Sequence, residues 1–134
     1  MTKQTHIGAY GLIENDGKIL LAKQTKGPYK GMLGLPGGGF LHGETARDCV
    51  ARQMEKNSDI NIDDLKLFDV LTDKITWQND ENLENLHLIC ILFNIKANIL
   101  KLKDSNTQWF DIKSIDFENL TPIAEKALVD YKNF

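Results

Sequence analysis

The sequence predicts an α/β domain, a mixed β-sheet flanked by helices. Three observations carry this prediction. Strand-like segments alternate with turn signals along much of the chain. Two segments, one behind a run of glycines and one near the end, have capped helical patterns. Residues 86–95 are apolar almost throughout, as expected of a central strand covered on both faces. At 134 residues the chain forms one domain, spanning 1–134, long enough to bury a core.

The elements follow in order. Residues 5–14 are small and apolar, Asn15-Asp16-Gly17 is a turn signal, and residues 18–24 read as a second strand, which together suggest a hairpin. Residues 25–34 contain Gly27, Pro28, Gly31 and Gly34 and read as a loop. Leu35-Pro36 leads into Gly37-Gly38-Gly39. A helix follows from Ala46 to Asn57, with Thr45 as N-cap and Asp48 three residues later, the spacing of a capping box. Asn57, Ser58 and Asp59 favour caps and turns and end it. Residues 65–77 read as a strand, residues 78–85 as a polar loop, and residues 108–112 as a short strand with Trp109 and Phe110 in the core. Thr121 and Pro122 fit an N-cap and first helical position, opening a helix through Ile123, Ala127, Leu128 and Tyr131.

Composition excludes several classes of function. The net charge of -3, with acids and bases interleaved, leaves no footprint for a nucleic-acid polymer or a membrane, so any phosphate binding must come from a local site. Two cysteines, Cys49 and Cys90, form neither a disulfide framework nor a zinc spacing, and their apolar neighbours suggest buried thiols in a reducing compartment. With no signal-peptide core and no membrane-length apolar run, a cytoplasmic protein is expected.

On a helical wheel of roughly 100° per residue, Ala46, Cys49, Val50 and Met54 form the buried stripe of the helix. Gln53, Lys56 and Asn57 lie on or beside that stripe one turn further on, while Asp48, Arg52 and Glu55 point toward the opposite side. A stripe that turns polar is either a solvated helix end or a face leaving the core for a cavity. The glycines leave two readings as well. Gly37, Gly38 and Gly39 supply a tight turn, or they expose backbone N–H groups to phosphate oxygens. A P-loop is excluded, because Glu44-Thr45 follows Gly43 where that motif requires Lys and then Ser or Thr.

Residues 38–60, GGFLHGETARDCVARQMEKNSDI, resemble the box of the Nudix family of pyrophosphate hydrolases, G-x5-E-x7-R-E-U-x-E-E-x-G-U with U a bulky aliphatic residue. Gly38, Glu44, Arg52, Met54 and Ile60 fall on the pattern; Gln53, Lys56, Asn57 and Asp59 do not. The segments KGPYKGMLGLPGGG and QWFDIKSIDFENLTPIAEKAL are also similar to that family, so the resemblance covers nearly the whole chain. It implies a Nudix-like α/β/α sandwich and hydrolysis of nucleoside diphosphates linked to another group, with Mg²⁺ or Mn²⁺. It also implies that Gln53, Lys56 and Asn57 stand where three glutamates hold metal, a change in formal charge from -3 to +1. Glu44 and Arg52 are the retained box residues, and Glu44 is the one candidate left for metal.

Three readings of function follow. The first is a degenerate box that binds a small phosphate-containing ligand, of the nucleoside-diphosphate type or another, with weak or no hydrolysis. Gly37, Gly38, Gly39, Gln53, Lys56, Asn57 and Tyr29 would line its site, with Lys56 in place of the lost cation and Tyr29 as a stacking surface. No cofactor is assigned in that case. The second is an active Mg²⁺- or Mn²⁺-dependent pyrophosphohydrolase whose carboxylates come from outside the box helix, with Asp80, Glu81 and Glu84 as candidates. The third is an interaction protein without a ligand. A homodimer is left open.

Overall fold

The computed structural model describes residues 1–132. Its larger sheet has the order β5-β1-β7-β6, built from β1 (Thr2–Leu12), β5 (Gly37–Gly39), β6 (Ser58–Asn79) and β7 (Asn82–Leu102). β1 and β7 run parallel and the other pairs antiparallel, so the sheet is mixed. A smaller antiparallel sheet centres on β3 (Lys18–Lys23), which pairs with β2 (Glu14–Asn15), β4 (Leu33–Gly34) and β8 (Thr107–Asp111).

The helices α1 (Ala46–Asn57) and α2 (Pro122–Lys132) cover opposite faces of the larger sheet. The period of two along β7 decides this arrangement. Cys90 and Leu92 point to one face, where they pack with Leu12, Ala124 and Leu128. Ile91, Phe93 and Ile95 point to the other, against Val50 and Met54 of α1. Each fully buried aliphatic side chain of this kind stabilises the fold by about 1.5–3 kcal/mol. The central, doubly covered strand expected at residues 86–95 is therefore present as part of β7. Trp109 and Phe110 join the two core clusters as expected.

Both helices start where the sequence places them. Thr45 Oγ1 accepts from the Asp48 N–H at 3.1 Å, and Thr121 Oγ1 from the Ala124 N–H at 3.3 Å. Ser58, extended at the end of α1, passes the chain directly into β6.

Four local expectations are corrected. The first hairpin does not join residues 5–14 to residues 18–24. Instead β1 lies in the larger sheet, and only Glu14 and Asn15 turn back onto β3, with buried Ile13 carrying the chain between sheets. The strand expected over 65–77 runs from Ser58 to Asn79; bulges near Ile60, Asp64 and Asp69 break its alternation. The loop expected over 78–85 is a tight turn at Asp80 and Glu81, with Asp80 at φ 54°, between strand ends that are polar because both faces meet water. The three glycines form a short edge strand paired with Gly8–Tyr10, not a loop. Among the described residues, no helix is long and apolar enough to cross a membrane.

Candidate functional site

Glu44, Arg52 and Gln53 come together at the edge of the larger sheet, where α1 covers β5. Gly37 and Gly38 permit the close approach. Gly37 adopts φ 149°, and a Cβ there would stand 2.3 Å from the Ala9 carbonyl oxygen. A Cβ on Gly38 would meet the Gln53 amide at 2.6 Å. The carbonyls of the edge strand are taken up by α1. Cys49 Sγ lies 3.5 Å from the carbonyl oxygens of both Gly38 and Gly39, and Gln53 Nε2 donates to Gly39 at 3.3 Å.

Arg52 does not point away from this face, as the wheel suggested. Its guanidinium folds back toward β5, donating to the Gly39 carbonyl at 3.0 Å and to both oxygens of Glu44 at 2.7 and 2.9 Å. Glu44 Oε1 also accepts from the Leu41 N–H at 2.7 Å. Arg52 first, and then the Leu41 N–H, pull the Glu44 carboxyl from its ordinary 4.5 down to about 2. Asp48 and Glu55 are exposed, as expected of the opposite side.

The fit to a divalent cation is poor. Mg²⁺ and Mn²⁺ want clustered oxygen donors, carboxylates above all. Glu44 is committed to Arg52 and the loop backbone. Gln53 turns its amide nitrogen to the sheet edge, Lys56 is a cation, and Asn57 is neutral and half-buried. Among the described residues, no three His, Cys, Asp or Glu side chains come together as a metal site. Asp80, Glu81 and Glu84 do not repair this. Glu84 pairs with Thr2 and Trp77, six residues before Cys90, which is in register with Gly8 beside Gly39. At about 3.3 Å per residue that is about 20 Å along the strand, and the turn at Asp80 is further still.

Lys56 is exposed and enters no ion pair among the described residues. Tyr29 lies apart from the box glycines. Its hydroxyl donates to Asp73 Oδ2 on β6 at 2.5 Å, and its ring lines a cavity of about 70 Å³ on the α2 side of the sheet, with Tyr10, Gln24, Leu88, Cys90 and Thr121. The seven ligand-site candidates therefore divide: Gly37, Gly38, Gly39, Gln53, Lys56 and Asn57 belong to the box, and Tyr29 to this neighbouring cavity. Sequence reading missed Tyr10, Asp73 and Cys90 as members of one site. Only alternation along three separate strands links them, and that pattern marks any sheet face.

The family model of the NUDIX domain matches residues 2–131. An ADP-ribose pyrophosphatase of Methanocaldococcus jannaschii is 30% identical over 126 residues, covering 90% of this chain and 69% of that protein. Among solved structures, a MutT NUDIX hydrolase from Burkholderia pseudomallei superposes with a TM-score of 0.62 at 25% identity, covering 93% of this chain and 96% of that one. A NUDIX hydrolase from Nitrosomonas europaea is similar in fold, with a TM-score of 0.61 at 20% identity over 97% of this chain and 90% of the other.

Proposed function

The chain belongs to the NUDIX domain family, and from that premise we propose that it binds a nucleoside-diphosphate-type or other phosphate-containing ligand and hydrolyses it weakly or not at all. One observation carries this reading: Gln53 lies against the sheet edge, Lys56 and Asn57 follow it along α1 with no carboxylate among the three, and Glu44 is held by Arg52. The unpaired Lys56 ammonium supplies positive charge close to where a bound cation would otherwise supply it. An ammonium holds phosphate as a point charge with three donors. The Gln53 and Asn57 amides add neutral hydrogen-bonding groups and no charge. Calorimetry with a panel of nucleoside diphosphates, with EDTA present, tests the reading. Binding in EDTA supports it; binding that strictly requires Mg²⁺, or no binding to any member, overturns it.

A second reading is an active Mg²⁺- or Mn²⁺-dependent pyrophosphohydrolase that draws carboxylates from outside the box helix. It is favoured by the relative named an ADP-ribose pyrophosphatase, at 30% identity across most of the chain. Metal-dependent release of phosphate or nucleoside monophosphate across a substrate panel would establish it. Failure of release at high protein concentration would count against it.

A further inference from the structure

β6 is the last strand of the larger sheet, and among the described residues no strand pairs with its outer edge. Its register on β7 runs without a shift from Asp69, opposite Leu92, to Asn79, opposite Asn82. A tight turn at Asp80 and Glu81 closes this hairpin. Residues that flank a two-residue turn exchange both backbone hydrogen bonds, and bonded and unbonded pairs alternate from there. The odd-numbered residues from Asp69 to Asn79 therefore bond to β7. Val70, Thr72, Lys74, Thr76 and Gln78 turn their N–H and C=O groups outward. Such an edge is a template for another strand.

The outward donors of Val70 and Lys74 are already taken. Asp69 Oδ1 accepts from the Val70 N–H at 2.7 Å, and Asp73 Oδ1 from the Lys74 N–H at 2.9 Å. A backbone N–H bonded to a carboxylate is charge-assisted, and stronger than the bond a strand carbonyl would offer. Further back along β6, the Leu65 carbonyl accepts from Arg47 Nη1 at 2.6 Å. Beside the edge, Leu67 and Val70 stay 60% and 49% exposed.

The capped residues stand symmetrically about Thr72. In an antiparallel pairing of β6 with its own copy, centred on Thr72, Val70 of each copy faces Lys74 of the other. Those residues would exchange backbone bonds through the N–H groups that the two carboxylates now hold. The same register sets Thr72 on Thr72, Leu71 on Asp73 and Asp69 on Ile75, so no like charges face each other. We propose that the outer edge of β6 is a pairing surface for a second copy of this chain, and that Asp69 and Asp73 keep it closed by capping Val70 and Lys74.

Amide hydrogen exchange and sedimentation equilibrium test this together. In the wild type, the Val70 and Lys74 amides should be protected about tenfold or more above that of Thr72, which points outward without a carboxylate cap. Asp69→Ala, at an exposed position, should raise the dimer association constant about tenfold or more, and adding Asp73→Ala should raise it further. Asparagine at both positions keeps an oxygen acceptor and should associate less than the alanine variants. Thr72→Pro removes a central donor that β7 does not use, so it should return the double alanine variant to the wild-type constant. Equal protection at these amides, alanine variants no more associated than the wild type, asparagine variants as associated as alanine, or indifference to Thr72→Pro would each overturn the proposal.

Discussion

Arg52 holds Glu44 through both carboxylate oxygens, at 2.7 Å from Nε to Oε2 and 2.9 Å from Nη2 to Oε1, while the same guanidinium reaches the Gly39 carbonyl at 3.0 Å. This planar pairing joins the loop before α1, the second turn of α1 and the edge strand β5. It ties together three segments around the box.

That role gives Glu44 a pH signature. Its carboxyl is lowered from 4.5 to about 2, so the stability it contributes is fully present above about pH 4.5 and is lost as pH falls toward 2. Glu44→Gln should melt below the wild type at pH 7, and the gap should narrow between pH 4.5 and 2. A gap that stays constant over that range would show that the carboxylate charge is not what matters.

Two of the three glycines of β5, Gly37 and Gly38, should respond differently to alanine. At Gly37 the added Cβ meets backbone, 2.3 Å from the Ala9 carbonyl oxygen, at a φ that strains any side chain. Gly37→Ala should cost more than about 1–3 kcal/mol, since steric clash adds to backbone strain. At Gly38 the obstacle is the flexible amide of Gln53, 2.6 Å away. Gly38→Ala should be milder, and Gln53→Ala should relieve much of its cost. Urea unfolding of the four variants, with the double mutant compared against its singles, checks both statements.

Thr45 caps α1 through the Asp48 N–H. Thr45→Ala should destabilise the domain by about 1 kcal/mol, while Thr45→Asp should leave it close to wild type. Equal loss in both variants, measured by urea unfolding, would mean that the cap contributes nothing.

Restoring carboxylates should restore cation binding. Gln53→Glu, Lys56→Glu and Asn57→Glu together return the face to a formal charge of -3 on a scaffold that Glu44 and Arg52 already hold. The triple variant should bind Mn²⁺ measurably by electron paramagnetic resonance, whereas the wild type should not bind it tightly. Wild-type affinity equal to the variant's would place the cation site elsewhere.

The sequence carried the α/β/α order and the family because their signals are local. Thr45 and Thr121 cap helices within three residues, the run ending at Ile95 is apolar enough to mark a central strand, and the box positions have fixed spacing. What stayed hidden depended on distant partners. Nothing near Gly37 announced that its backbone would pair with Tyr10, so an edge strand resembled a loop. Bulges near Ile60, Asp64 and Asp69 shifted the side chains of β6 off a clean alternation and concealed most of its length. The wheel placed Arg52 by the direction of its Cα–Cβ bond, but a long guanidinium side chain reaches around a helix to the Glu44 carboxylate and the Gly39 carbonyl. Tyr29 and Asp73, 44 residues apart, meet only because a loop between two short strands lies over the larger sheet.

On the proposed reading, Lys56 holds phosphate by an ammonium where the family pattern would place carboxylates and a cation. Calorimetric titration of ADP into the wild type and into Lys56→Gln, each with EDTA and again with Mg²⁺, tests it most directly. Wild-type binding should persist in EDTA and weaken about tenfold or more in Lys56→Gln. Binding that appears only with Mg²⁺, or that is indifferent to the loss of Lys56, would contradict it.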